Sequence, residues 1–523
     1  MVRRPIGQAS VVLRTPPRCQ TYPHVVTDVH GASSAQAELL DQLFAPDPPP
    51  RRARWPYLLV VLALIAGGLA AALVLRRDGG PEGPPHPATW DAKVQKYVDF
   101  VEKERDLKFA HPVYVDFLTD EEFTGKVTGD REELNKDDLK ELEQATGLLR
   151  AMGVVEGDVD LFDKVNQLQG EGIIGFYSYD DERLRLRGTE LTPAVESTLV
   201  HELTHALQDQ HFDLGDRFEK LAKADDTNSS AAESGFDALV EGDARRIETA
   251  WRDSLTPKQR KALDKEQSKG AKGFEAGTKD VPEALRTMLA APYELGQALL
   301  AVAVQQGGDR AVDDLFRSPP STEEQQLDPW TLVADHQGYL TVPEPELADG
   351  VKSFGDGSFG ALGWLLLLSA RLPAEQALTA VDGWGGDSYA AFERDGASCV
   401  TINYRGDTAE DLDQMRTALK AWIAKLPQGP ASVSRDDLTL AFESCDPGKN
   451  AAKVASGKSM DVVALALSRT YLSISMVKGS VPLPVARCGA DRLVRAFTVA
   501  ELNDPKLDPQ RVAQVVAPCR SQA

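Results

Sequence analysis

Cysteine is scarce in this 523-residue chain: there are five, and none lies between Cys19 and Cys399. No two stand in C-x-x-C spacing, which argues against a thiolate zinc site. Histidine is nearly as rare, with eight, and aromatic residues make up only 7%. Positive charge is also in deficit, with 58 Lys and Arg against 80 Asp and Glu, a net charge of −22. Up to Pro56 the chain carries +3, so the remainder carries −25. A body of that sign repels phosphate backbones, and nucleic acid is not expected as a partner. Internal repeats are lacking. Long apolar runs are lacking too, with one exception.

That exception is Tyr57 to Leu75 (YLLVVLALIAGGLAAALVL), 19 residues without a charge. As a helix it would span about 28 Å, one hydrocarbon core. It starts too deep in the chain and runs too long for a cleaved signal peptide. Arg51, Arg52 and Arg54 precede it while Arg76 and Arg77 follow, a bias that places the N-terminus in the cytoplasm. The organisation expected is a flexible cytoplasmic tail (1–54) rich in Pro, Ala and Ser, a single transmembrane helix (55–77) and a Pro/Gly stalk (78–90). An extracytoplasmic body of two domains then follows, 91–428 and 429–523. Cysteine placement agrees: Cys19 is alone before the span, and Cys399, Cys445, Cys488 and Cys519 all follow it. Two disulfides in an oxidising compartment are expected. Four cysteines permit three pairings. Cys399–Cys445 is favoured because the strand-like runs around them can pair, leaving Cys488–Cys519.

The body reads as α+β. Val94, Tyr97, Val98 and Val101 recur at helical spacing, and a second helix is predicted over 139–152. Ile173 to Tyr179 is strand-like, Asp180-Asp181-Glu182 turns, and Arg183 to Arg187 (RLRLR) alternates with period two, so a hairpin is expected. Thr192-Pro193 offers an N-cap followed by Pro at the first helical position. Further helices are predicted around 230–252, 281–306 and 358–371. After the Gly-rich Trp384-Gly385-Gly386-Asp387, strand signals return at 399–404 and 438–442, giving a smaller disulfide-bearing α+β unit at the end.

The helix after Thr192 carries His201-Glu202-Leu203-Thr204-His205, an H-E-x-x-H pattern. Positions four apart lie on one helical face, so the two imidazoles can take two corners of a tetrahedral zinc site. Glu202, one step around the helix, can accept a proton from water attacking a carbonyl. Leu199, Val200, Leu203, Ala206 and Leu207 make the surrounding helix apolar. Burying two His and a Glu there costs free energy unless something pairs with them.

From Gly175 to Leu214 (GFYSYDDERLRL…LVHELTHALQDQHFDL) the chain resembles the gluzincin class of zinc metallopeptidases, in particular a group of bacterial extracytoplasmic members. The resemblance implies a mainly helical, zincin-like catalytic domain with a hairpin before the H-E-x-x-H helix. It also implies a later helix supplying a Glu as third ligand within E-G-x-A, here Glu241-Gly242-Asp243-Ala244. It continues through Pro292-Tyr293-Glu294-Leu295-Gly296, Pro319-Pro320-Ser321-Thr322-Glu323 and Gly383-Trp384-Gly385-Gly386-Asp387, covering roughly 95–425. The chain departs from the pattern at Asp328, where relatives tend to have His. If that His stabilises the transition state, Tyr293 and His336 are the candidates to replace it.

Two residues compete for third ligand. His211 has the spacing of H-E-x-x-H-x-x-G-x-x-H, but that pattern needs Gly where Gln208 stands, so that the helix can stop and turn. Gln favours continuing, which would point His211 about 240° away from His205. Glu241 lies at the edge of the stripe Phe236, Val240, Ala244 and Ile247. Gly242 and Ala244 would allow close helix approach, and Asp237, one turn earlier, is placed to accept a hydrogen bond from a liganding imidazole. Glu241 is therefore the expected ligand and His211 the alternative.

The function this implies is zinc-dependent hydrolysis of a peptide or protein substrate outside the membrane, with Glu202 as general base. An exposed edge strand beside the metal would suit an extended peptide. The competing reading is a non-catalytic cell-envelope protein that uses the same domain to bind a partner.

Overall fold

A computed structural model describes residues 84–522 apart from 224–227, 427–430, 455–457 and 505. The expected cytoplasmic tail, transmembrane helix and most of the stalk lie outside the described residues. The rest is a mixed α+β protein, predominantly helical, with both disulfides in its last quarter.

The first sheet has three strands in the order β1 (Tyr114–Leu118), β3 (Arg183–Arg187), β2 (Gly175–Ser178), with β1 parallel and β2 antiparallel to β3. Alternation along β3 explains its place. Leu184 and Leu186 are fully buried, while the three arginines turn to the other face. Each meets a carboxylate there: Arg183 forks onto Asp116 at 2.8–2.9 Å, Arg185 pairs with Asp181, and Arg187 lies 3.3 Å from Asp120 while also donating to the Gly170 carbonyl at 2.8 Å.

Six helices frame the middle of the molecule: α1 (Gln95–Arg105), α2 (Pro193–Phe212), α3 (Ser229–Ser254), α4 (Glu283–Gly307), α5 (Gly360–Ser369) and α6 (Ser459–Lys478). α2 begins as its sequence predicts, with the Thr192 side chain accepting from Val195 N–H and Pro193 at the first position. It runs through Gln208 without a break and stops where Asp213 turns left-handed at φ 53°. α3 and α4 touch backbone to backbone. A Cβ on Gly296 would collide with the Ala238 carbonyl and one on Gly242 with the Gly296 carbonyl, so both positions require glycine.

The second sheet is antiparallel in the order β4 (Ser353–Gly357), β5 (Trp384–Arg394), β6 (Ala397–Gly406), β8 (Thr439–Cys445), β7 (Ala431–Asp436). Cys399 on β6 stands opposite Cys445 on β8 and is bonded to it, as the second bond joins Cys488 to Cys519. The expected boundary at 428/429 falls inside this sheet, between β6 and its partner β8.

β5 was not anticipated, because Trp384-Gly385-Gly386-Asp387 reads as a turn. The glycines instead make room for a crossing chain: Leu340 N–H donates to the Gly385 carbonyl at 2.6 Å, and a side chain on Gly386 would strike the Leu340 carbonyl. Asp387 then collects the start of α5, accepting from Phe359 N–H (2.6 Å), Gly360 N–H (3.1 Å), Trp364 Nε1 (2.8 Å) and Trp384 Nε1 (2.6 Å). The largest apolar core packs α4, α5 and α6 against this sheet. α4 and α6 are long and apolar enough to cross a membrane, yet α4 is largely buried within the protein.

Candidate metal centre

The sites expected at the sequence level meet between α2 and α3. His201 and His205 occupy adjacent turns of α2, with ring centroids 4.7 Å apart and planes nearly perpendicular. From α3, one oxygen of Glu241 reaches both: Oε2 lies 3.1 Å from His201 Nε2 and 3.4 Å from His205 Nε2. Zinc at about 2.0–2.1 Å from tetrahedral donors holds those donors roughly 3.3 Å apart. The three side chains therefore have the chemistry and the spacing of such a site. All are buried: His201 is 0% exposed, His205 4%, Glu241 3% and Glu202 1%.

A carboxylate and an amide stand beside the outer nitrogens of the two imidazoles, and only the amide is aligned for a hydrogen bond. Glu248 Oε2 stands 3.3 Å from His201 Nδ1; Arg245 Nη1 donates to that oxygen (2.6 Å) and Ser197 Oγ donates to Oε1 (2.7 Å). His205 Nδ1 lies 3.0 Å from Gln208 Oε1. Nε2 of each ring is left facing Glu241, where a metal ion could sit. Glu248 and Gln208 stand at the outer nitrogens, beside which Asp237 was expected to act. Asp237 is buried nearby and adds to the negative field that lifts the Tyr179 hydroxyl.

Electrostatics point to a cation. Burial disfavours charge on His201, but Glu241 and Glu248 outweigh it and push the imidazole up to about 10. Burial likewise opposes the Glu241 carboxylate, yet the charges of His205 and the bond to His201 hold it down at about 2. Glu202 goes the other way: burial pushes it up to about 8 against the pull of His205 and His201. Neither of its oxygens accepts a hydrogen bond of good geometry, although the Tyr177 backbone lies close enough to favour the charged form. Three buried carboxylates converge on two imidazoles, and one carboxylate has nothing to bond. A divalent cation would answer both.

No protein-family model, curated protein or solved structure matches the chain. The roles of the remaining candidates rest on their positions alone. His211 is at the exposed end of α2, its Nε2 donating to the Lys108 carbonyl at 2.7 Å, and takes no part in the cluster. His336 is exposed on the loop after Pro329–Val333 with φ 52° and also takes no part. Tyr293 on α4 is buried with its ring 6.3 Å from that of His201, so it borders the centre. Asp328 caps a short helix by accepting from Trp330 N–H (3.2 Å) and pairs with Arg487 at 3.5 Å. It faces a separate cavity of about 520 Å³ bordered by Asp382, Arg469 and Arg495.

Glu248 was not singled out from the sequence, where Gln208 reads only as continuing its helix and Tyr179 only as a packing residue. The stripe Glu233, Asp237, Glu241, Glu248 on one face of α3 was the available signal for the first. Tyr179 follows β2, feels the charges of Glu241, Asp209, Asp237 and Glu202, and lines a cavity of about 200 Å³ with Asp209 and His111. β2 is terminal in its sheet as expected, but its backbone from Gly175 to Tyr177 is buried beside α2, so this edge is not the open one anticipated.

Proposed function

We propose that the chain is a zinc-dependent peptide hydrolase of the gluzincin type, anchored by the span 55–77 with its body outside the cytoplasm. The observation that carries this reading is the convergence of His201, His205 and Glu241 at tetrahedral donor spacing, with unbonded Glu202 beside them. A sheet packed along α2 and a glutamate supplied by the following long helix agree with a zincin-like domain. When bound, zinc supplies Lewis acidity, polarising a carbonyl and lowering the pKa of water to about 7. The residues do the rest. His201, His205 and Glu241 hold the ion, Glu248 and Gln208 fix the two rings, and Glu202 accepts the proton of the attacking water and later delivers it to the leaving amine. Tyr293 borders the space in which the carbonyl oxygen would gain charge.

Burial of every group in the cluster favours a second reading, a metal-holding binding module without turnover. Zinc content and cleavage of a mixed peptide library by the full-length protein separate the two. Glu202→Gln should keep zinc and lose at least ~100-fold in turnover. Glu241→Ala should lose zinc on dialysis, whereas His211→Ala retains it. Zinc uptake without cleavage in the parent protein would leave only the binding module. Unchanged turnover in Glu202→Gln would remove the assigned base.

A further inference from the structure

The two imidazoles of the centre are held in chemically different ways. His201 Nδ1 faces a carboxylate, Glu248, which can only accept. His205 Nδ1 faces the amide of Gln208, and an amide turned over would offer N–H where it now offers oxygen. Facing N–H, His205 would carry its lone pair on Nδ1 and present a hydrogen to the metal position.

Three further residues remove that ambiguity. Both hydrogens on Gln208 Nε2 are already committed, one to the Val240 carbonyl at 3.1 Å and one to Asp243 Oδ2 at 3.1 Å. The Val240 carbonyl can only accept, and both Asp243 oxygens already accept from guanidinium groups. Arg105 Nε donates to Oδ2 at 2.8 Å, and Arg246 donates to Oδ1 at 2.9 and 3.1 Å. The Arg105–Asp243 pair is fully enclosed, so each charge depends on the other. Arg105 is the last residue of α1, and its Nη2 continues to Asp313 at 2.6 Å. With the amide nitrogen spent in this way, only Oε1 can meet His205, which leaves the Nε2 lone pair toward Glu241.

We propose that Gln208, Asp243 and Arg105 form a tautomer lock on His205, making them positioning residues of the metal centre. The inference rests on the metal reading above. It predicts that a residue of the first helix after the stalk controls metal affinity without touching the metal.

The test is a chelator-competition titration of the full-length protein with zinc and with cobalt, recording the visible bands of the cobalt form. Gln208→Leu and Asp243→Asn should each weaken zinc binding by roughly 10–100-fold and shift the cobalt bands. The double variant should lose little more than the worse single one, since both act through one imidazole. Arg105→Met should weaken binding similarly, and Arg105→Lys should recover part of the loss, which mere loosening of α1 would not produce. Should Asp243→Asn fail to fold, Gln208→Leu carries the test, because it leaves the enclosed Arg105–Asp243 pair intact. Variants that bind zinc within twofold of the parent with unshifted cobalt bands overturn the lock. A parent protein that takes up neither metal overturns the metal reading, and the lock with it.

Discussion

Glu233 shows how unevenly α3 treats its carboxylates. It lies two turns before Glu241 on the same face, 7% exposed, with Oε1 unbonded, and burial pushes it up to about 8. Glu241 and Glu248, on the same stripe, are held low by His205 and Arg245. The consequence has a definite sign. A carboxyl whose folded pKa is raised binds more protons folded than unfolded between the two values. The stability it contributes is complete below its unfolded value and is lost as pH rises through about 8. Glu233→Gln should therefore flatten the fall in stability between pH 5 and 8, by up to about 1.4 kcal/mol per pH unit. Urea unfolding across that range measures it, and parallel curves for parent and variant would contradict the assignment. At this scale His201, Glu202 and His205 were legible because their relation is set by one helix and needs no partner. Glu248 and Gln208 were not, because each matters only through the imidazole it faces, and nothing in its own surroundings names that partner.

Between elements, the decisive contact is the glycine crossing of α3 and α4. Gly242 follows Glu241 directly, and Gly296 opposite it leaves no room for a methyl group. The two helices thus meet at backbone distance, which sets how far Glu241 extends toward α2. Gly296→Ala should destabilise the protein by about 1–3 kcal/mol or more through overpacking. It should also weaken zinc binding, by moving α3 along with its ligand. Thermal unfolding with and without chelator checks both effects, and a variant with parental stability in both states would refute the crossing as drawn. Part of this was readable beforehand: Gly242 and Ala244 pointed to a close approach. The identity of the partner was not, since Pro292-Tyr293-Glu294-Leu295-Gly296 reads only as an interrupted helix until α3 is laid across it.

For the molecule as a whole, the second sheet ties the two halves of the body together. β6 and β8 pair across residue 428, Cys399–Cys445 bonds them, and α6 packs into the same core as α4 and α5. A chain ending at residue 428 would leave the β6 edge open and Cys399 without its partner. Such a chain should aggregate, and a monodisperse, cooperatively unfolding product on size exclusion and calorimetry would show the halves to be separable. The proposed orientation across a membrane is a second matter at this scale. Protease added to intact cells should digest the body after residue 90 and spare the tail before residue 55, and a protected body would reverse the topology.

Local chemistry was settled by the sequence alone wherever a relation runs along a single element. The H-E-x-x-H face, the Thr192–Pro193 start of α2, its passage through Gln208 and the alternation of β3 all follow from helical and strand periods acting on neighbouring residues. The disulfide pairing also followed, since strand-like runs around Cys399 and Cys445 pair across a sheet. What the tertiary structure decided was everything that depends on two distant segments meeting. It brought Glu248 and Gln208 to the imidazoles, Arg105 to Asp243, Gly296 to Gly242, and the Leu340 backbone to β5. It also turned Asp328, His211 and His336 away from the centre. Such meetings are fixed by the packing of helices around a shared core, and their energies depend on burial and on charge at a few ångströms, neither of which has a period that a sequence can display.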